Sequence, residues 1–379
     1  MQTIDPDQKP AHQALFPSSA VSAVEAIEAL LEHAVFSRAT DIHCDPRQRD
    51  ILIRLRIDGI MEEAGLFPKR MHEEMIARFK ILSGARTDLH TVPQDGRWQA
   101  DIGGEPYNVR ISFMPTYHGE NAVLRLLPMR SIGEISFAKL GFTPDHVRMI
   151  DDALSKTNGL ILVTGPTGSG KTTTLMAALS LKSREPLSIV TLEDPVEYEV
   201  PGVRQVHVRH THGVTFASGL RACLRQDPDV IMVGEIRDAE TARVAVHTAL
   251  TGHLVLSTLH TNSALEAIPR LADMGVDHYL LASTLRLIVS QRLVRAMCHE
   301  CFAAGCESCR ETGYKGRSVI AEACVVDAEM RELIARKESL SAIAGHARAQ
   351  GMDPIDVDGK EKVDWGITTD EAVVRALYA

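Results

Sequence analysis

Eight consecutive residues, Gly165-Pro166-Thr167-Gly168-Ser169-Gly170-Lys171-Thr172, have the spacing of a phosphate-binding loop. Glycines let successive backbone N–H groups curl around phosphate oxygens, and a helix that starts here adds the positive end of its dipole. Lys171 would reach the β- and γ-phosphates, and the Thr172 hydroxyl would bind Mg²⁺. Thr173 opens the helical stretch 173–181 and joins the expected nucleotide contacts. The apolar run 159–163 before the loop is the strand that this motif requires, so ATP with Mg²⁺ is the expected cofactor set.

Hydrolysis also needs carboxylates near the γ-phosphate, to organise metal and water. Val230-Ile231-Met232-Val233 leads to Gly234-Glu235, and Ile189-Val190-Thr191 leads to Leu192-Glu193-Asp194-Pro195-Val196-Glu197. Carboxylates at the carboxyl ends of parallel strands face the ligand crevice of an open α/β sheet. Strands also end in polar loops for no catalytic reason, but two such ends downstream of a phosphate loop favour function. A further apolar run, 254–257, is bracketed by His253 and by His260. Each histidine, taken alone, reads more simply as a hydrogen-bonded structural residue than as a γ-phosphate contact.

The third cluster is Cys298, Cys301, Cys306 and Cys309, two C-x-x-C pairs separated by four residues. Four thiolates make a closed tetrahedral set for structural Zn²⁺, with Gly305 freeing the intervening turn. The short separation leaves little slack, so a strained site and reduced, metal-free thiols are the competing readings. Cys44, Cys223 and Cys324 are expected to be buried small hydrophobes.

These groups need elements to hold them. From 145 onward, continuous apolar runs at 159–163, 187–191, 230–233 and 254–257 alternate with helical stretches, the signature of a buried parallel sheet. The tail after Cys324 reads as helical, with candidates at 330–335, 340–349 and 370–377. The block 20–127 differs: helical periodicity covers 20–36 and 72–83, and strands are expected at 51–57, 98–102, 107–112 and 122–127. Asp58-Gly59, 93–96 and Gly103-Gly104 are expected turns, which gives an α+β domain with an antiparallel sheet. Residues 1–19 read as a mobile leader and 128–144 as a connecting segment.

Composition removes several classes of function. Of 379 residues, 45% are hydrophobic and 24% charged, which describes an ordinary soluble protein of two or three domains. Aromatic residues are only 4% and the net charge is -9, so nucleic acid is not the expected partner. No apolar run is long enough to span a bilayer, and the start lacks the pattern of a signal peptide, which places the chain in the cytosol.

In order and spacing, these segments resemble the secretion ATPase superfamily, and within it the type II secretion and type IV pilus assembly ATPases. The resemblance rests on 165–172, 191–197, Thr215 to Asp238 and Thr251 to Thr261, and on Thr40-Asp41-Ile42-His43, 93–97, 109–112 and 119–127 in the first block. It covers about 20–325. It implies a P-loop, RecA-like C-terminal domain (145–379) and a smaller PAS-like N-terminal domain. By resemblance, Glu235 is the general base, Glu193 and Glu197 polarise water or support the metal, and His260 senses the γ-phosphate, with His253 a weaker candidate. The resemblance further implies a homo-hexamer in which Arg110 and Arg125, with Arg97 a weaker candidate, complete the neighbouring nucleotide site. Without it, an arginine on a strand is more simply a solvated side chain.

The implied partner is an inner-membrane platform protein, and the implied location is cytoplasmic, peripheral at the inner membrane through protein contacts. The alternatives are a nucleic-acid-translocating or conjugative P-loop motor and a nucleotide-gated scaffold. Two departures stand out. The extra N-terminal module of many type II secretion ATPases has no room before the first helix. The tail also lacks the sequence of retraction motors, which usually lack the cysteine pairs. The first implies recruitment through another surface, and the tail and the cysteine pairs favour assembly or secretion over retraction.

Overall fold

The computed structural model describes residues 22–129, 135–209 and 213–378. The expected leader and part of the expected connecting segment lie outside them. The chain divides into two compact units, Met1–Arg130 and Ser131–Ala379.

The first unit runs α1 (Ala23–Phe36), β1 (Ala39–Pro46), β2 (Asp50–Ile57), β3 (Ile60–Pro68), α2 (His72–Ser83), β4 (Gln94–Ile102), β5 (Glu105–Thr116) and β6 (Gly119–Pro128). Helix α1 starts at a reciprocal cap between Ser22 and Glu25 and buries Ala26, Ile27, Leu30, Leu31 and Ala34. The six strands form one antiparallel sheet in the order β3-β2-β1-β6-β5-β4. Phe79 of α2 and Phe113 of β5 are fully buried in a single core with the apolar side of α1. The tight turns at Asp58-Gly59 and Gly103-Gly104 hold all four residues at positive φ, as two-residue hairpins with this twist require.

The segment 93–96 differs from its expected turn, since Gln94 already belongs to β4. Gly96 is there for close approach: a Cβ would lie 2.5 Å from that of Ser83. Strands β1 and β3 were not expected. Thr40, His43 and Asp45 break the apolar run in one, and Glu62 and Glu63 in the other.

The second unit opens with α3 (Phe137–Leu140) and α4 (Pro144–Leu154), then β7 (Gly159–Thr164), α5 (Lys171–Lys182), β8 (Ile189–Glu193), β9 (Val203–His207), α6 (Phe216–Cys223) and β10 (Val230–Val233). There follow α7 (Ala239–Leu250), β11 (Leu254–Leu259), α8 (Ala267–Asp273), α9 (His278–Thr284), β12 (Leu285–Met297) and β13 (Tyr314–Val325). Four helices close the chain: α10 (Ala328–Ala335), α11 (Leu340–Ala349), α12 (Ile355–Asp364) and α13 (Asp370–Tyr378).

Its sheet has the order β13-β12-β7-β11-β10-β8-β9, parallel throughout except for β13. Both faces are covered, and alternation along β7 shows how. Leu160 and Leu162 pack into one core with α7 and α9, while Ile161 and Val163 pack into another with Leu175, Met176 and Leu179 of α5. Burial on both faces is the physical reason these strands read as continuous apolar runs. Strand β12 escaped that reading because Ser290, Gln291 and Arg292 interrupt it, yet all three are buried.

Candidate active site

Four neighbouring parallel strands, β7, β11, β10 and β8, deliver the motif residues at their carboxyl ends. The loop 165–170 leaves β7, His260 follows β11, Glu235 follows β10, and Glu193 ends β8. Gly170, at φ 88°, is the N-cap of α5, and Lys171, Thr172 and Thr173 form the helix's first turn. The unpaired N–H groups of that turn face whatever the loop encloses. Gly165 has no room for a side chain, because a Cβ would meet Gln291 O at 2.5 Å.

Lys171 is 8% exposed, and its Nζ donates to Gly165 O and Pro166 O at 2.8 Å each. Burial pushes its ammonium down to about 8, with Arg292 acting in the same direction and Glu235 opposing. The Glu235 carboxylate has one oxygen 2.6 Å from Arg237 and the other 3.6 Å from His260 Nε2. Burial, reinforced by the Lys171 charge, pulls His260 below the usual imidazole range. Lys171, Glu235, His260, Arg237 and Arg292 thus share one electrostatic neighbourhood. Thr258 fixes the backbone on both sides of Glu235: its hydroxyl donates to Gly234 O at 2.7 Å, and Ile236 N donates to its carbonyl at 3.0 Å.

Glu193 is 3% exposed, and its carboxylate accepts from Thr191 Oγ1 at 2.7 Å and Gln205 Nε2 at 2.9 Å. Burial raises its pKa, and the neighbouring Glu197 charge adds to the rise. Gly234 N donates to Leu192 O, so the chain entering Glu235 runs beside the chain entering Glu193. Sequence spacing could not reveal Gln205, Thr258 or Gln291, because each comes from a different strand. His253 sits at the opposite, amino-terminal end of β11, roughly 20 Å from His260 at the usual strand rise. Its Nδ1 contacts Thr248 O at 3.1 Å, which makes it structural. Asp238 caps α7 by accepting from Thr241 N.

In the first unit, cross-strand register sets Arg97 beside Arg110, Arg110 beside Arg125, Arg125 beside Asp41, and Asp41 beside Arg56. This row crosses the sheet on the face opposite the buried side chains. Asp41 is the carboxylate within it: Arg125 Nε lies 2.9 Å and Arg56 Nε 3.8 Å away.

The four cysteines lie in the connection between β12 and β13, with their Sγ atoms all within 4.8 Å of one another. A tetrahedral ion with Zn–S bonds of about 2.3 Å needs sulfurs about 3.8 Å apart. The separations are 3.9 Å for Cys298–Cys306 and 3.7 Å for both Cys301–Cys309 and Cys306–Cys309. Burial acts against the Cys309 thiolate, but N–H donors from Cys306 and Gly313 bring the thiol down to about 6. Three of the six pairs thus match the tetrahedral spacing, and all lie within 4.8 Å. The cluster can hold a metal ion.

Comparison with known proteins places these features. The family model described as type II/IV secretion system protein matches residues 18–375. The type II secretion system protein HxcR of Pseudomonas aeruginosa is 43% identical over 360 residues, covering 93% of this chain and 76% of its own. The type IV pilus assembly ATPase PilB of Thermus thermophilus is 42% identical over 376 residues, covering 92% of this chain and 42% of its own. Among solved structures, the pilus retraction motor PilT with bound ADP aligns with a TM-score of 0.68 at 27% identity, over 93% of this chain and 97% of that one. The ATPase DotB of Legionella pneumophila aligns at 0.73 and 24% identity, over 94% and 96%, a likeness of fold.

Proposed function

This chain belongs to the type II/IV secretion system protein family, and on that premise we propose that it is a hexameric motor that hydrolyses ATP to drive pilus assembly or protein secretion. It is an ATPase, as its relative PilB is. The observation that carries the reading is the convergence of the phosphate loop, His260, Glu235 and Glu193 at the ends of four adjacent strands. A nucleic-acid motor finds no support in the acidic charge or in the relatives.

In this reading the 145–379 domain is RecA-like, the 20–127 domain is PAS-like, and 128–144 joins them. Backbone N–H groups of 165–173 and the Lys171 ammonium bind the phosphates. The hydroxyl of Thr172 and the nearby carboxylates are hard oxygen donors of the kind Mg²⁺ takes, and the ion would neutralise charge on the β- and γ-oxygens. Glu235 accepts the proton of the attacking water, with its carboxylate plane set by Arg237 and His260. Glu193 and Glu197 hold that water or the metal's water shell, and His260 reports the γ-phosphate. Arg110 and Arg125 come from a neighbouring chain's first unit and meet the charge on the transferring phosphoryl, which couples chemistry to domain movement. The cysteine cluster holds a structural Zn²⁺. A cytoplasmic platform face at the inner membrane is the partner, engaged by protein contact; no helix of the described residues is long and apolar enough to cross a membrane.

Mixing two inactive variants tests the shared site. Glu235→Gln chains keep their arginines, and Arg110→Ala/Arg125→Ala chains keep Glu235. Mixed rings should recover at least about tenfold in phosphate release, because a trans-acting arginine is worth about 10³–10⁵. A mixture no faster than the sum of its components contradicts the arrangement.

A further inference from the structure

Strand β12 carries a residue that the reaction as described leaves unused. Gln291 is completely buried, and both ends of its side-chain amide are engaged at the nucleotide loop. Its Nε2 donates to Ser169 O at 2.7 Å, and its Oε1 accepts from Thr174 Oγ1 at 2.8 Å. One bond therefore ends on the loop and the other on Thr174, just past the first turn of α5, so the amide ties the loop to the helix whose leading N–H groups must converge on the same anion.

The backbone of the same residue presses on the loop as well. Its carbonyl is the atom that leaves no room for a Cβ at Gly165, and its Nε2 would sit 3.1 Å from one at Gly170. Its neighbour extends the contact: Arg292 donates to Gln291 O at 3.0 Å and to Asn262 O, in the loop after His260, at 2.9 Å. An uncharged amide suits this position, because it offers a donor and an acceptor at once and puts no charge beside Lys171.

We propose that Gln291 is a positioning residue for nucleotide binding, its amide holding the phosphate loop against α5 in the anion-receiving conformation. The inference rests on residues 165–172 being the ATP site. A loop held in advance of binding loses less freedom when phosphate arrives, so the amide contributes to affinity more than to the chemical step. Strand β12 also runs on into Met297 and Cys298, so the loop and the cysteine cluster hang from one rigid element.

The test compares Gln291→Glu and Gln291→Met in the full chain. The first keeps the acceptor for Thr174 and removes the donor to Ser169; the second keeps the volume and removes both. KM for Mg-ATP should rise about tenfold or more in each, with kcat within about threefold. A residue that only supports the fold would lower the active fraction, and hence kcat and thermal stability, and leave KM unmoved. KM within twofold of the parent in both variants overturns the inference. If the methionine variant does not fold, Thr174→Val removes the second hydrogen bond with Gln291 in place, and KM should then rise about threefold. Calorimetric titration of Lys171→Ala with Mg-ADP separates the two levels. Binding lost there with KM unchanged in Gln291→Glu sinks this inference alone, whereas binding retained there sinks the ATP site beneath it.

Discussion

Replacing Lys362 by methionine should unfasten the C-terminal helices from the edge of the ATPase sheet. Lys362 and Asp358, one turn apart on α12, have side chains 1% and 2% exposed and form an ion pair of 2.7 Å. They also serve the edge strand β13: Lys362 Nζ donates to Val319 O at 2.5 Å, and Ala321 N donates to Asp358 Oδ2 at 2.6 Å. The pair thus supplies the donor and acceptor that a further strand would have offered, and closes an edge open to foreign pairing. Ala321 faces Gln291 across the ladder, so the clasp backs the strand that supports the phosphate loop.

Removing Lys362 leaves the Asp358 carboxyl buried without its counter-ion, with Oδ1 already lacking a hydrogen-bond partner. Loss of one partner from a buried pair costs about 3–5 kcal/mol. The double variant Asp358→Leu/Lys362→Met is the sharper probe. A bare buried ion pair replaced by apolar residues is neutral or stabilising by about 1–4 kcal/mol. Here the exchange also strips Val319 O and Ala321 N, at about 1–3 kcal/mol each, so the midpoints of the two ranges leave a net loss of about 1–2 kcal/mol. The chain has two tryptophans, Trp98 in the first unit and Trp365 just after α12, so urea unfolding followed by fluorescence in a Trp98→Phe background reports on the clasp. A double variant as stable as its parent would show that the pair does not cap the edge, and a single variant within about 1 kcal/mol would refute the burial argument as well.

Two other outcomes follow from the same geometry. Metal analysis of the purified chain should find close to one equivalent of zinc, lost together in Cys298→Ser and Cys309→Ser; a small fraction of an equivalent would leave four reduced thiols instead. Because the Lys171 ammonium titrates at about 8, well under its ordinary 10.5, Mg-ADP affinity should fall by up to about tenfold per pH unit above 8. The protein without nucleotide moves the opposite way: Lys171 gives up its proton before the unfolded chain does, so its penalty, present below about 8, is relieved between 8 and 10.5. Calorimetry from pH 7 to 9 that shows flat affinity would remove Lys171 from phosphate binding.

The site was legible where function is written in consecutive residues. The phosphate loop and the strand ends at Glu193 and Glu235 announce themselves because the backbone there must do one thing, and the residue types follow. The cysteine pairs are legible for the same reason, although spacing alone could not show that the four sulfurs lie within 4.8 Å of one another. What stayed hidden is held by residues that meet only through the sheet. Gln205 reaches Glu193 from β9, Thr258 brackets Glu235 from β11, and Gln291 reaches the loop from a strand whose polar centre hid it from periodicity. Nor did spacing predict α12, whose Asp358 and Lys362 are buried although charges one turn apart usually lie on a solvated helix face. His253, already the weaker of the two histidine candidates, lies at the end of β11 away from His260 and contacts Thr248 O.

The most direct measurement is Mg-ATP binding and steady-state phosphate release by the full chain and by Glu235→Gln. The substitution keeps the shape of the side chain and removes the group that takes a proton from water. Binding within about threefold of the parent with turnover lowered about 10²–10⁴-fold is the predicted result. Turnover within twofold of the parent would contradict it, and the proton of the attacking water would have to leave by another group.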